Sequence, residues 1–199
     1  AGARGSRLLV VVATQSLVLI AARLAVVVGP AAGAVLVASV VGRVTGVLAF
    51  LVIALLVVAR VLAARMAPAL LTPDMWVLMG AVAIAVVAGG AVLGAVGDGA
   101  VGTAARAAVV GCWAVATAWI PALVAAEWHR VRGRRLRFER ARWSTVFPLG
   151  MYVVACATVA DATSFAGLQE ASAALYWVAL AAWCLTAVGA LSHVGKPPG

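Results

Sequence analysis

Apolar residues along the chain fall into runs about as long as a bilayer is thick, separated by short polar breaks. A helix needs about 20 apolar residues to cross about 30 Å of hydrocarbon. Six segments meet that requirement: Leu8 to Val28, Val44 to Ala64, Met75 to Val96, Ala104 to Ala126, Trp143 to Ala160 and Ala171 to Leu191. The pattern predicts an all-α, polytopic membrane protein with a single transmembrane domain over residues 1–199.

The runs also have a rhythm. From Leu8 to Met75 is 67 residues and from Met75 to Trp143 is 68, each interval holding one out-and-back hairpin. Sequence identity between the units is negligible, so only hydropathy repeats. Three hairpins inserted in the same sense are parallel repeats about an axis along the membrane normal, an arrangement that favours a central path lined by one helix of each hairpin.

Polar positions select the odd-numbered helices as the lining set. The first carries Thr14, Gln15 and Ser16, the third carries Gly89, Gly90 and Gly94, and the fifth carries Ser144, Thr145, Pro148, Gly150 and Thr158. The middle of the second is almost wholly Val, Leu and Ala. Polar groups are costly against lipid and turn toward a bundle interior or a cavity. Helix packing is the competing account of each of these residues, and Gly42-x-x-x-Gly46 and Gly90-x-x-x-Gly94 read as contact faces. Arg23 reads as the one charge inside a span; it either attracts an anion or extends to the outer interface. Pro121 predicts a kink in the fourth helix, and Thr72-Pro73-Asp74 reads as the start of the third.

Charge then sets orientation. Two thirds of the residues are hydrophobic, 11% are charged and the formal net charge is +9. Seven arginines lie between Glu127 and Arg142, the signature of a cytoplasmic loop rather than a nucleic-acid surface. Arg4, Arg7, Arg60, Arg65 and Lys196 fall on the same side, while Asp98, Asp161 and Glu170 fall on the other, so both termini are predicted to be cytoplasmic. Richness in Ala, Val, Leu, Gly and Arg points to a GC-rich bacterial genome, hence to the bacterial cytoplasmic membrane.

The inventory contains no set of residues for chemistry. Cys112, Cys156 and Cys184 lie on three different helices with no paired spacing and read as small packing residues. His129 and His193 stand at cytoplasmic helix ends, and no nucleophile motif, zinc motif or phosphate-binding loop is present, so neither an enzyme nor a cofactor is expected. All six acids lie at or near helix ends, which tilts the reading from a coupled carrier toward a passive path for anions. A non-transporting module that holds anionic lipid or an acidic partner through its arginine run is the alternative. No segment has the form of a signal peptide, and a chain beginning at Ala1 is expected to be a fragment.

The stretch Trp143 to Tyr152, with Phe147-Pro148 and then Gly150 after a basic loop, resembles the ninth helix of the tellurite-resistance and C4-dicarboxylate transporter family, which includes the plant slow-type anion channels. Glu127-Trp128-His129-Arg130 on the preceding helix supports the likeness. The resemblance implies a fold of five hairpins around a pore lined by the first helix of each, assembled as a trimer with one pore per subunit. It implies that this chain is similar to helices five to ten and that Phe147, beside Pro148, closes the pore. It also implies a small anion as substrate; tellurite, malate, chloride and nitrate all suit a weakly polar path. Two departures stand out: the first and third helices lack interior prolines, and four helices of the family fold are missing from the sequence.

Overall fold

A computed structural model describes residues 5–63, 75–132 and 142–192. Six helices follow in order: α1 (Gly5–Ala25), α2 (Ala32–Ala63), α3 (Trp76–Val96), α4 (Ala100–Arg132), α5 (Trp143–Thr163) and α6 (Ala166–Leu191), with a short 3-10 turn at Gly29–Ala31 before α2. No strand occurs among the described residues. Five helices carry spans long and apolar enough to cross a bilayer; α1 carries a shorter apolar stretch, Val10–Ala25, among the described residues. The chain is an all-α polytopic membrane protein of three hairpins, as expected.

Helix α3 is the centre. It packs along α1, α4 and α5 and also touches α2, and residues from Trp76 to Val92 are buried around nearly its whole circumference. In a membrane protein a helix buried all round is enclosed by other helices, whereas α6, with only Leu168, Ser172 and Thr186 buried, turns most of its surface outward. The odd helices form an inner row, α1 against α3 against α5, and each even helix packs outside on its hairpin partner.

Small residues set the register of this row. A Cβ on Gly80 would lie 3.0–3.2 Å from Pro148, and one on Gly90 would collide with the Thr158 methyl. Numbers rise together along α3 and α5, so the two helices run parallel, and each pair is 68 residues apart (148 minus 80, and 158 minus 90). The 68-residue interval between the starts of these hairpins is therefore the offset at which they pack. Within the first hairpin the numbers run oppositely: Gly42 lies under Val18 and Gly46 under Gln15, the close approach a small-xxx-small face allows between α2 and α1. Of the other such pair, Gly90 is a contact, but nothing lies within 4 Å of a Cβ on Gly94, so Gly94 is not part of a contact face.

Tight turns close the second and third hairpins. Gly97 at φ +70° and Gly99 at φ +133° join α3 to α4, in a backbone region that only glycine enters at little cost. Ser164 adopts the left-handed conformation at φ 55°, and Phe165 N–H returns to Ala160 O at 3.2 Å, capping α5 two residues before α6 begins.

One expected boundary is corrected. The second helix begins at Ala32, not near Val44. Ser39, Gly42 and Arg43 weaken the apolar run, yet each is accommodated: the Ser39 hydroxyl donates to Val35 O at 2.8 Å, Gly42 seats Val18, and Arg43 donates to Ala85 O. The expected helix start at Thr72-Pro73-Asp74 lies outside the described residues.

Candidate functional site

Helix α5 presents two unlike faces. Pro148 has no N–H, so the carbonyl of Ser144 four residues earlier loses its helical partner. The ring itself is fully buried against Gly80, where no side chain intervenes. Its neighbour Phe147 turns the other way and is 45% exposed. Trp143, Phe147, Gly150 and Val154 follow at spacings of four, three and four, so they share one face. Trp143 and Val154 are also exposed, and nothing stands within 4 Å of a Cβ on Gly150. Ser144 and Thr145 flank the stripe, half-buried.

The buried face of α5 is fixed by side-chain hydrogen bonds. The Thr117 hydroxyl gives its one proton to Trp113 O at 2.8 Å, so in the 2.8 Å contact between Thr117 and Tyr152 the tyrosine is the donor. Trp113 Nε1 donates to Cys156 Sγ at 3.4 Å, and Ser172 of α6 donates to Val153 O at 2.9 Å. These bonds hold α5 between α4 and α6 and leave the Phe147 stripe without a covering helix among the described residues. Arg142 and Glu127 approach to 3.8 Å and tie the start of α5 to α4. The remainder of the arginine run, at 133–141, lies outside the described residues.

The other predicted lining residues are dispersed. Thr14 and Ser16 donate to the carbonyls of Val10 and Val12 on their own helix, each at 2.9 Å. Gln15 is fully buried between α1 and α2, its Nε2 reaching Arg43 O at 3.4 Å, and its Oε1 has no hydrogen-bond donor. Gly89 faces Arg43 and Val109, and Gly90 faces Thr158. Arg23 is exposed in the last turn of α1.

Arg23 is not the one charge inside a span. That reading rested on the late start assigned to the second helix; with α2 running from Ala32, Arg43 lies within its apolar span and is only 8% exposed. The sequence does hold a signal for it. Ser39, Gly42, Arg43 and Gly46 recur at helical spacing, a small and polar stripe that continues the contact face upstream of Val44.

Parallel hairpins, an inner row of odd helices and an α5 that sets a buried proline beside an exposed aromatic define an all-α polytopic membrane protein. The chain belongs to the voltage-dependent anion channel family, whose model matches residues 2–191. Two uncharacterized membrane proteins of Mycobacterium tuberculosis, from strains CDC 1551 / Oshkosh and ATCC 25618 / H37Rv, are each 38% identical to it over 129 residues. The match spans 62% of this chain and 66% of each relative, just under two thirds of their length. No solved structure gives a significant match.

Proposed function

We propose that the chain forms part of a path for small anions across the cytoplasmic membrane, closed by the ring of Phe147. The observation that carries this reading is the division of labour at Pro148 of α5: the proline is buried against Gly80 while the adjacent Phe147 is 45% exposed. An aromatic held at a rigid bend blocks by volume and presents an apolar constriction that dewets easily. Ser144, Thr145 and Gly150 lie beside it and supply weakly polar wall, with the carbonyl freed by Pro148 available to a water-filled cavity. Membership in the family supports anions as the cargo, with dicarboxylates, tellurite oxyanions and halides as candidates. In the same reading the three hairpins correspond to the last three of a five-hairpin subunit of a trimer.

The test is anion flux in liposomes holding the full-length protein, normalised to folded protein. Phe147→Ala is expected to raise basal flux, whereas Phe165→Ala, also exposed but beyond the end of α5, leaves it unchanged. Normalisation is needed because a large-to-small change at a packed site costs about 3–5 kcal/mol and would lower the amount of folded protein. Flux at or below the parental value identifies Phe147 as a packing residue.

A further inference from the structure

Arg43 is the deepest charge among the described residues, and no ion pair includes it. It lies eleven residues into α2, about 16 Å along the helix axis. Its guanidinium crosses to α3, where Nη1 donates to the carbonyl of Ala85, near the middle of that helix. Nη2 is buried with no hydrogen-bond partner of its own, while the Cys112 thiol of α4 interacts with the guanidinium as a whole and, as a neutral group, leaves its charge uncancelled. The seat is shaped for this group: a Cβ on Gly89 would stand 2.5 Å from Nη2, 2.6 Å from Cζ and 2.8 Å from Val109 of α4. Gln15 of α1 holds the Arg43 backbone carbonyl from the opposite side.

A neutral carbonyl does not cancel a positive charge. Guanidinium stays protonated in proteins, so it cannot escape the cost of burial by neutralising. Two of the six acids, Asp98 and Glu127, pair with Arg106 and Arg142 at the ends of α4. Asp161 lies near the end of α5 and Glu170 in the first turns of α6, on either side of their connection, and Asp74 and Glu139 lie outside the described residues. Helix α3 also separates this place from Pro148: Gly80, against Pro148, and Gly89, against Arg43, are nine residues apart and so on opposite sides of the helix.

We propose that Arg43 Nη2, lodged among α2, α3 and α4, binds one small monovalent inorganic anion such as chloride or nitrate, as a resident site apart from the Phe147 stripe. The valence follows from the single charge, since a divalent oxyanion would leave a net negative charge in an apolar enclosure with too few donors to hold it. The small size follows from the close packing of Gly89, Val109 and Arg43.

The test is thermal unfolding of the full chain in a non-ionic detergent, followed by tryptophan emission, with chloride or nitrate replacing gluconate at constant ionic strength. The parent is expected to gain stability saturably with either small anion and not with sulfate. Arg43→Met should abolish the gain. Gly89→Ala keeps the charge but forces it from its seat, and should raise the half-saturating concentration about tenfold or more, as loss of one charge-assisted hydrogen bond does. A parent indifferent to anions, an equal response to sulfate, or an unaltered response in Arg43→Met or Gly89→Ala overturns the proposal; the glycine variant decides the matter if Arg43→Met does not fold. No flux enters the measurement, so its failure is separate from any failure of the conduction reading.

Discussion

At the scale of single residues, burial separates polar side chains that composition alone treats alike. Thr14, Gln15 and Ser16 are consecutive, so they point about 100° apart, and of the three only Gln15 hydrogen-bonds to α2. Its buried Oε1 lacks a donor and its one bond is long at 3.4 Å. Replacing an imperfectly satisfied buried amide by an apolar group of like shape removes a desolvation cost along with the bond. Gln15→Met should therefore change the stability measured by thermal unfolding in detergent by less than about 1 kcal/mol. A loss of about 3 kcal/mol would show that the amide is well bonded in the folded protein. Arg43 was hidden from the hydropathy pattern for a related reason. Windowed hydropathy discounts every charge equally, whereas the cost of a charge depends on what a glycine on the facing helix allows it to touch.

At the scale of helices, the repeat was legible and its physical meaning was not. Hairpin starts 68 residues apart follow from apolar runs, but that the same 68 residues separate Gly80 from Pro148 and Gly90 from Thr158 depends on side-chain shape across the contact. Helices in lipid associate through close packing, so a methyl at such a contact is felt directly. Gly90→Ala would drive its Cβ into the Thr158 methyl and should cost about 1–3 kcal/mol. Thr158→Ser removes that methyl while keeping the hydroxyl that donates to Val154 O at 2.8 Å. The double variant should recover most of the loss, so a double-mutant cycle by thermal unfolding should give a coupling of about 1 kcal/mol or more. Additive losses would mean that α3 and α5 do not meet at this register. The apolar runs likewise gave α3 and α5 to within a few residues. They placed the start of α2 too late, where small and polar residues that serve the α1 contact dilute the run.

At the scale of the molecule, parallel packing of α3 and α5 constrains topology independently of charge. Both helices start at one end of the bundle, so the α3–α4 turn at Asp98 and the α5–α6 turn at Phe165 share the opposite end. A reporter inserted near Asp98 and one near Gly167 should therefore give the same answer, whatever that answer is. The excess of Arg and Lys on the other ends supplies the absolute direction: those two insertions are expected to read periplasmic, and reporters near Arg134 or after Lys196 cytoplasmic. The two arguments fail separately. Disagreement between the Asp98 and Gly167 reporters would break the parallel hairpins and with them the inner row of α1, α3 and α5. Agreement on the cytoplasmic side would leave the packing intact and reverse the orientation, placing the Phe147 end of α5 on the outer side. Neutralising Arg132, Arg134, Arg135 and Arg137 together distinguishes the loop's roles further. If the run acts only as a topological anchor, the Asp98 and Gly167 reporters should lose their uniform orientation, while anion selectivity of the correctly inserted fraction stays within about twofold of the parent, because an anchor acts on insertion and not on the permeating ion.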